Sequence, residues 1–525
     1  MSAFRLNVPA RSWNRRAMLK LGAAAAAWPL LGSPESAFAR RRLALKDNPF
    51  TLGVASGDPL PDGFVIWTRL APQPLADGGG MPRESVEVRW EVAADDAFKK
   101  IVAHGTAVAA PELAHSVHVE VPGLAANRWY WYRFAVAEAT SPVGRARTAP
   151  QPGDAVDRLR FAFVSCQHWE TGLYTAYQHM AREDLDIIAH LGDYIYEGKT
   201  NDKAPIRKHN SVEIVTLDHY RNRHALYKTD EHLQAAHAMC PWLVTWDDHE
   251  FDNNCAGDIS EETSVTPKYF LARRANAYQA YYEHMPLRAA QLPQGPHMKL
   301  YRSVGYGNLA NFSMLDTRQY RSDQPCGDGN KPQCPEALDP KQSLLGEAQE
   351  KWLYRTLDDS AAKWNVITQQ VMMALADRKA GEETTHSMDQ WPGYEANRQR
   401  VLQYFAAHKE LNPVVLTGDI HTNWVNDLQA VPHDCKAPTV ATEFVGTSIS
   451  SGGNGKPNDG TPAMMVENPF VRYHSAERGY VSCEVTPQKW TSHYRAVPEI
   501  TLPGGPVVTR KTFIVEHNRP GAQEA

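Results

Sequence analysis

Four segments of the sequence carry residue types that bind metal ions, and each follows a short apolar run. They are FVSCQHW (163–169), HLGDYIYE (190–197), TWDDHEFDNN (245–254) and LTGDIHTNW (416–424). Together they supply a thiol, carboxylates, a phenol, imidazoles and amides, groups that ligate metal ions in proteins. Four such segments in one chain indicate a metal centre assembled on loops that follow strands.

The elements that must position these segments are predicted to be strands alternating with helices. Short apolar runs end in polar, chemically active residues at 161–164, 187–191, 242–245, 312–315 and 414–416. Segments with helical spacing lie between them, for example 269–282 and 348–357. This order is typical of an α/β domain, and we assign it to residues 157–500.

Residues 48–150 show the alternation that is typical of β strands. Apolar residues alternate with polar ones through 85–92, 117–121 and 130–136, and turn-forming clusters separate these runs. We expect a small antiparallel sandwich resembling a fibronectin type III domain, without chemistry of its own. A linker rich in Pro, Gly and Asp follows at 148–157, and residues 501–525 are predicted to be a C-terminal tail with one strand-like stretch at 506–515.

The first 39 residues are predicted to be an export signal. Arg15 and Arg16 precede a weakly apolar, Ala-rich run at 21–31, and Ala37-Phe38-Ala39 fits a cleavage site. A twin-arginine pair before so mild an apolar run favours the Tat translocase as export partner, and therefore a periplasmic or secreted protein. No later run is long and apolar enough for a membrane span, so no stable membrane anchor is expected.

Charge and cysteine content narrow the partners further. Residues 1–39 contain five of the 55 Lys and Arg residues and one of the 60 Asp and Glu residues, so the remainder carries 50 basic and 59 acidic residues, a net charge of −9. This balance argues against nucleic-acid binding by bulk charge. Of the seven cysteines, Cys326 and Cys334 flank a Gly-, Pro- and Asp-rich loop and are the pair that we expect to form a disulfide in an oxidising compartment.

The order and spacing of the four segments resemble the metallophosphoesterase superfamily, and the offset of Asp193 and Tyr196 resembles that of purple acid phosphatases. Three departures stand out: Cys166 replaces a carboxylate, Asp248 replaces an asparagine and Asp419 replaces a histidine. With LDTRQYRSDQ (315–324) and the N-terminal β region, these features make the chain similar to PhoD-type alkaline phosphatases and the related phospholipase D enzymes. That resemblance covers nearly all of the chain after residue 48 and implies a layered α/β (α+β) sandwich of two sheets flanked by helices.

The resemblance implies roles for the matching residues at a first metal ion. Asp193 would bridge two metals, and Cys166, Tyr196 and His421 would complete the first site. A thiolate and a phenolate together suit a charged, fairly soft ion, and the family implies Fe³⁺.

The second site is implied to be harder. Asp248 and Asp419 would bind an oxygen-preferring ion, and the family implies one or more Ca²⁺ ions. His249 matches the acid beside the metals. A metal pair supplies a hydroxide nucleophile and neutralises charge on phosphoryl oxygens, while an imidazole such as His249 can protonate the leaving oxygen.

Several residues have more than one possible role. Asp247 could be a ligand, a hydrogen-bond partner or a helix cap. Asn253 could contact the substrate or cap a helix, and Arg318 could bind a phosphate oxygen or form a structural salt bridge.

The sequence therefore predicts an exported metal-dependent phosphoesterase that hydrolyses phosphate monoesters, diesters or both. A phospholipase D-like phosphodiesterase is the alternative within the enzyme class, since the ligand set is shared. A non-catalytic exported binding protein is the alternative outside it, but so coherent a set of ligands argues against a decayed site.

Overall fold

Strands provide most of the regular structure in residues 47–457 and 465–525, the part of the chain that this computed structural model describes. The predicted export signal at 1–39 lies outside these residues. Within the described part, no helix combines the length and apolar character that crossing a bilayer requires.

The first eight strands precede residue 150. They are β1 (Val54–Leu60), β2 (Gly63–Arg69), β3 (Val86–Ala93), β4 (Ile101–Ala109), β5 (Ser116–Val121), β6 (Trp129–Val136), β7 (Ala139–Thr140) and β8 (Gly144–Arg147). The strands that follow are β9 (Leu159–Val164), β10 (Ile187–His190), β11 (Trp242–Val244), β12 (Arg302–Tyr306), β13 (Ala310–Met314), β14 (Asn330–Lys331), β15 (Trp364–Thr368), β16 (His386–Ser387), β17 (Pro413–Thr417), β18 (Asn423–Gln429), β19 (Thr439–Val445), β20 (Val471–Ser475), β21 (Gly479–Val485), β22 (Lys489–Ala496), β23 (Val508–Glu516) and β24 (Arg519–Glu524).

The α-helices that the argument uses lie after residue 150. They are α1 (Thr175–Met180), α2 (Leu217–Lys228), α3 (Glu231–Met239), α4 (Pro267–His284), α5 (Gly346–Asp358) and α6 (Glu395–Ala407). Their starts follow from local chemistry: the side chains of Thr216 and Asp230 accept backbone hydrogen bonds at the starts of α2 and α3, and Pro267 opens α4. The helical segments predicted at 269–282 and 348–357 are confirmed as parts of α4 and α5.

The larger main sheet has ten strands in the order β24-β23-β22-β21-β9-β10-β11-β1-β2-β5. Its centre, β9 to β11, is parallel, while β21 pairs antiparallel with β9 and leads to β22, β23 and β24. The three central strands are almost entirely buried, as expected for parallel strands that are covered on both faces.

The second main sheet has seven strands in the order β12-β13-β15-β17-β19-β18-β20. Strands β13, β15, β17 and β19 run parallel. The remaining three pair antiparallel with their neighbours. Both sheets therefore place a row of parallel strand ends at one edge, where loops can carry a site.

The two sheets pack against each other face to face. Phe161 and Phe163 of β9 share one apolar core with Phe312 of β13 and Leu416 of β17, and the rings of Phe161 and Phe312 meet edge to face at 5.3 Å. Because side chains alternate along a strand, Ala162 and Val164 point to the other face.

Helices cover the outer face of each sheet. Ala162 and Val164 belong to a second core that contains residues of α1 to α4. On the other side, Ile367 and Val415 of the seven-stranded sheet share a third core with α5 and α6. The chain is thus a mixed α and β protein with two central sheets between helices.

The N-terminal strands share a sheet with the strands that follow residue 150. The strands predicted at 85–92, 117–121 and 130–136 are present as β3, β5 and β6, and β3, β4, β6, β7 and β8 form a separate five-stranded sheet. However, β1, β2 and β5 extend the ten-stranded sheet through the pairing of Gly57 with Trp242 of β11. Local alternation predicts a strand but not its distant partner, so the shared sheet was not foreseen.

The C-terminal segment is also part of the ten-stranded sheet. Residues 501–525, predicted as a tail with a strand-like stretch at 506–515, contain β23 and β24. Phe513 and Val515 of β23 are buried between the two main sheets and belong to the core that both sheets share. This burial explains why the segment forms part of the ten-stranded sheet.

The predicted disulfide is confirmed. Cys326 and Cys334 are bonded, with their Cα atoms 5.8 Å apart. The other five cysteines are unpaired, and of these only Cys435 is exposed.

Candidate metal centre

The ends of the parallel strands bring the four predicted segments together. Cys166 lies just after β9, Asp193 after β10 and Asp419 after β17. The backbone N–H of Cys166 donates to the carbonyl of Gly192 at 3.1 Å, and that of Gln167 donates to the carbonyl of Asp193 at 3.0 Å. The first two loops are therefore joined by main-chain hydrogen bonds.

Glycine is required at position 192 for the loops to approach this closely. Its φ is 113°, and a Cβ atom there would lie 2.4 Å from the backbone nitrogen of Asp247. Any side chain would push the loop after β10 away from the loop after β11.

Four of the predicted ligands have left-handed backbone conformations. The φ angles are 60° for Cys166, 57° for Asp193, 67° for Asp419 and 56° for His421. Such conformations cost about 1–3 kcal/mol each for residues other than glycine and cluster at sites that are held in place by the surrounding fold. The strain indicates that the fold aims these four side chains.

One group of donors combines a thiol, a carboxylate, an imidazole and a phenol. Ligand atoms of Cys166, Asp193 and His421 all lie within 4.8 Å of one another. The hydroxyl of Tyr196 lies 2.7 Å from Oδ2 of Asp193 and 3.1 Å from Nε2 of His421. Oδ1 of Asp193 is buried without a hydrogen-bond partner.

A second group consists of carboxylates. Ligand atoms of Asp247, Asp248 and Asp419 also lie within 4.8 Å of one another. Oδ2 of Asp247 is buried and has no hydrogen-bond partner. In contrast, both oxygens of Asp248 accept backbone hydrogen bonds, from His249 at 2.9 Å and from Asn254 at 2.7 Å. Asp247 is thus as well placed for a cation as Asp248.

Both groups fit metal ions. Burial, followed by the negative charge of Asp193, raises the pKa of the Cys166 thiol well above its ordinary value, and burial raises the pKa of Asp419 to about 6. A cation reverses such shifts because it stabilises the deprotonated ligands. A bound cation would also be a partner for the buried oxygens of Asp193 and Asp247 that lack hydrogen bonds. Sulfur, phenol and imidazole donors suit a softer ion, whereas the carboxylates suit a hard one.

Arg318 lies fully buried among the acidic side chains. Its Nε donates to Asp247, its Nη1 donates to Asp389 at 2.9 Å and its Nη2 donates to Asp419 at 3.0 Å. Nη2 is also 3.6 Å from Asp248. Each guanidinium nitrogen therefore faces a carboxylate. Of the two roles predicted for Arg318, this arrangement corresponds to the structural salt bridge.

His249 is held by a buried carboxylate. Its Nδ1 lies 2.7 Å from Oε2 of Glu197, and its ring packs on that of Tyr196 with 4.1 Å between centroids. Burial opposes its protonation, but Glu197, Asp193 and Asp248 together raise the pKa of His249 well above its ordinary value. Before a cation binds, these carboxylates therefore favour the protonated imidazole, and Glu197 contacts His249 directly to support the form that a general acid needs.

Asn253 faces the solvent side of this loop. Its backbone N–H donates to Oε1 of Glu197 at 3.0 Å, and its side chain bonds to Glu261. Contact between Asn253 and a substrate stays a prediction.

Several residues that organise the site were not singled out from the sequence. Glu250 accepts backbone hydrogen bonds from Asp193 at 3.1 Å and Asp247 at 2.8 Å, so it joins two ligand loops. Asp389, far from any motif, binds Arg318. The position of Glu250 inside TWDDHEFDNN was a usable signal, whereas Asp389 had none.

Comparison with known proteins identifies the family. Residues 161–494 match the family model of the PhoD-like phosphatase, and residues 36–150 match that of the PhoD-like phosphatase N-terminal domain. The chain is 51% identical over 481 residues to alkaline phosphatase D of Bacillus subtilis (strain 168), which covers 91% of this chain and 82% of that protein. A solved structure described as "Structure of PhoD" matches with a TM-score of 0.89 and 50% identity, over 92% of this chain and 93% of that one.

The geometry of the site and the comparisons indicate the same family. Two family models match, and one relative is 51% identical. This chain is an enzyme, a phosphatase, and it belongs to the PhoD-like phosphatase family.

Proposed function

We propose that the chain is an exported phosphohydrolase that acts on phosphate monoesters, diesters or both and depends on Fe³⁺ together with one or more Ca²⁺ ions. The observation that carries this proposal is the meeting of two chemically different donor sets where parallel strand ends of the two main sheets come together. Cys166, Tyr196 and His421 form the softer set, the carboxylates Asp248 and Asp419 form the harder one, and Asp193 stands between them.

The metal ions, when bound, would supply the hydroxide nucleophile and neutralise charge on the phosphoryl oxygens. The chain's own residues would do the rest. His249, kept protonated by Glu197 at 2.7 Å, would give its proton to the leaving oxygen. Glu250 would hold the loops of Asp193 and Asp247 in register.

The side chains next to Asp419 favour recognition of a polar phosphate group. Gln390 donates to Oδ2 of Asp419 at 3.1 Å and accepts from Arg378 at 3.2 Å. The guanidinium of Arg378 in turn lies 5.1 Å from the centre of the Trp424 ring. These polar and cationic groups lie beside a candidate metal ligand, so we prefer a simple phosphoester over a phospholipid as the substrate class.

The decisive experiment combines metal analysis with three substrates. The purified protein should contain iron and calcium and absorb visible light through a ferric phenolate, and Tyr196→Phe should remove that absorption. Hydrolysis of p-nitrophenyl phosphate, bis-p-nitrophenyl phosphate and phosphatidylcholine would then rank monoester, diester and lipid. A wild-type protein that stays colourless, metal-free and inactive after iron and calcium are supplied would refute the proposal.

We also propose export by the Tat translocase to the periplasm or the exterior. The disulfide between Cys326 and Cys334 supports an oxidising destination. Because Tat passengers cross the membrane already folded, the metal site could be loaded or protected before export. Replacement of Arg15 and Arg16 by lysine should retain the protein in the cytoplasm, and unchanged export of that variant would exclude the route.

For the fold, we propose the metallophosphoesterase arrangement of residues 157–500, with residues 48–150 as a fibronectin-like module. The two face-to-face sheets between helices support the first part. The packing of Phe64 in β2 on Tyr130 in β6, at 6.1 Å between ring centres, supports the second. An experimental structure in which the two main sheets do not pack face to face, or in which β2 does not pack on β6, would overturn the assignment.

A further inference from the structure

A second cluster of metal-binding side chains lies outside the centre described above. His168 and Glu170 belong to the loop after β9, and His209 belongs to the long loop between β10 and α2. One ligand atom from each of the three lies within 4.8 Å of the other two. The cluster shares no residue with the proposed iron and calcium ligands, although the His168 ring packs edge-on against Tyr196 at 4.5 Å.

Glu170 is a buried carboxylate that forms no salt bridge with a described Lys or Arg side chain, although the positive charge of Arg223 acts on it over a longer distance. Only 4% of its side chain is exposed. Its Oε1 accepts backbone hydrogen bonds from Asn201 at 3.0 Å and His209 at 2.9 Å. Within the described residues, the sole basic group that reaches salt-bridge distance is the His209 ring, whose Nδ1 is 3.6 Å from Oε2. A buried anion is costly unless it is paired with a cation or fully hydrogen-bonded.

His209 does not supply the missing charge. Its Nδ1 is 3.6 Å from Oε2 of Glu170, which is too far for a hydrogen bond, so the two groups form no close ion pair. Its Nε2 lies 3.0 Å from the hydroxyl of Tyr227, while its Nδ1 is buried without a hydrogen-bond partner. With the proton on Nε2 and donated to Tyr227, the lone pair of Nδ1 faces the Glu170 carboxylate. In that tautomer two electron-rich groups lie side by side, an arrangement that a bound cation would stabilise.

We propose that His168, Glu170 and His209 bind a borderline divalent cation such as Zn²⁺ at a site separate from the iron and calcium centre. Two imidazole nitrogens and one carboxylate oxygen are a ligand set that suits zinc, with bonds of about 2.0–2.2 Å and a fourth position open to water. In zinc sites, the imidazole nitrogen that does not bind the metal is usually hydrogen-bonded to a neighbouring group, which orients the ring. Tyr227 would orient His209 in this way.

The bound ion would tie two loops together. One loop starts at the end of β9 and carries His168 and Glu170. The other follows β10 and passes Tyr196 before it reaches His209. The cation would therefore fix the part of this loop that follows Tyr196. None of its three ligands would bind the proposed iron or calcium ions.

The test uses the holoenzyme loaded with iron and calcium and then exposed to Zn²⁺ alone. Metal content measured by mass spectrometry should rise by one zinc per chain, and zinc-edge X-ray absorption should show imidazole and oxygen scattering without sulfur. His209→Asn should lose that zinc. The matched control is His224→Asn, because His224 is also fully buried and both of its ring nitrogens lack partners.

Each outcome decides the proposal. A zinc ion with two imidazoles, present in the wild type and in His224→Asn but absent in His209→Asn, supports it. No bound zinc in the wild type overturns it. Zinc with a sulfur neighbour at about 2.3 Å also overturns it, since that ion has replaced iron at Cys166. The absorption measurement needs only the wild type, so a poorly folded variant does not remove the test.

Discussion

Replacement of Arg318 by methionine should destabilise the metal-free protein far more than the calcium-loaded one. The guanidinium is fully buried and pairs with Asp247, Asp389 and Asp419. Its loss leaves buried carboxylates without a counter-charge, and breaking a buried pair in this way costs about 3–5 kcal/mol. When calcium is bound, the ion supplies another positive charge to the same carboxylates, and the loss should be smaller.

The expected change can be expressed as a melting temperature. At about 2.1 cal/mol/K per residue, the roughly 480 residues of the folded unit have an unfolding entropy of about 1 kcal/mol/K. A loss of 3–5 kcal/mol therefore lowers the melting temperature by about 3–5 °C. Differential scanning calorimetry with a chelator and with added calcium measures both values.

The control is Arg302→Met. Arg302 forms a largely buried salt bridge with Asp58 at 2.7 Å, and Asp58 belongs to neither group of candidate ligands. Its removal should lower the melting temperature equally with and without calcium. If Arg318→Met changes the melting temperature by less than 1 °C, or by the same amount in both metal states, the view of Arg318 as the internal counter-charge is wrong.

Three further predictions concern other parts of the molecule. His249→Gln should reduce kcat for p-nitrophenyl phosphate by about 10²–10⁴-fold without loss of bound metal, since it removes the proton donor; an unchanged kcat would exclude that role. Cys334→Ser should lower the free energy of unfolding by about 2–3 kcal/mol, because the disulfide closes a loop with a sequence separation of 8; a melting curve equal to that of the wild type would contradict this. Burial lowers the pKa of Lys228 to about 7, so between about pH 7 and 10 the unfolded chain binds one proton that the folded chain does not, and stability rises with pH by up to about 1.4 kcal/mol per unit. Denaturant titrations should show that the free energy of unfolding of the wild type rises relative to that of Lys228→Met between about pH 7 and 10. A difference that stays constant with pH would refute the lowered pKa.

The chemistry of the site could be predicted from the sequence because its residues follow strands directly. Cys166, Asp193, Asp248 and Asp419 were placed after apolar runs, and the structure puts all four at parallel strand ends. Parallel strands of one sheet must bring their ends together, so the local pattern predicts that Cys166, Asp193 and Asp248 lie close to one another. Asp419 follows β17 of the second sheet and joins them through the packing of the two sheets.

Other features depend on pairing between distant parts of the chain. Gly57 joins Trp242 across the two regions, and nothing in the alternation around either residue indicates this partner. The sequence alone allows two roles for Arg318, because only its burial among three aspartates decides what its nitrogens contact. His209 lies about forty residues from Glu170, in a loop without a recognisable pattern, so their approach is visible only in three dimensions.

The strand order of the ten-stranded sheet constrains how the chain can fold during synthesis. Strand β9, which carries Cys166 at its end, has β10 on one side and β21 on the other. Strand β21 begins at Gly479, more than 300 residues after β9 ends at Val164, so a ribosome must translate that length of chain before β9 can be covered on both edges. Until then β9 presents an unpaired apolar edge, which is a template for aggregation. Completion of the sheet that carries Cys166 is therefore a late event that waits for β21, and chaperones that shield strand edges should bind nascent chains that end before residue 479.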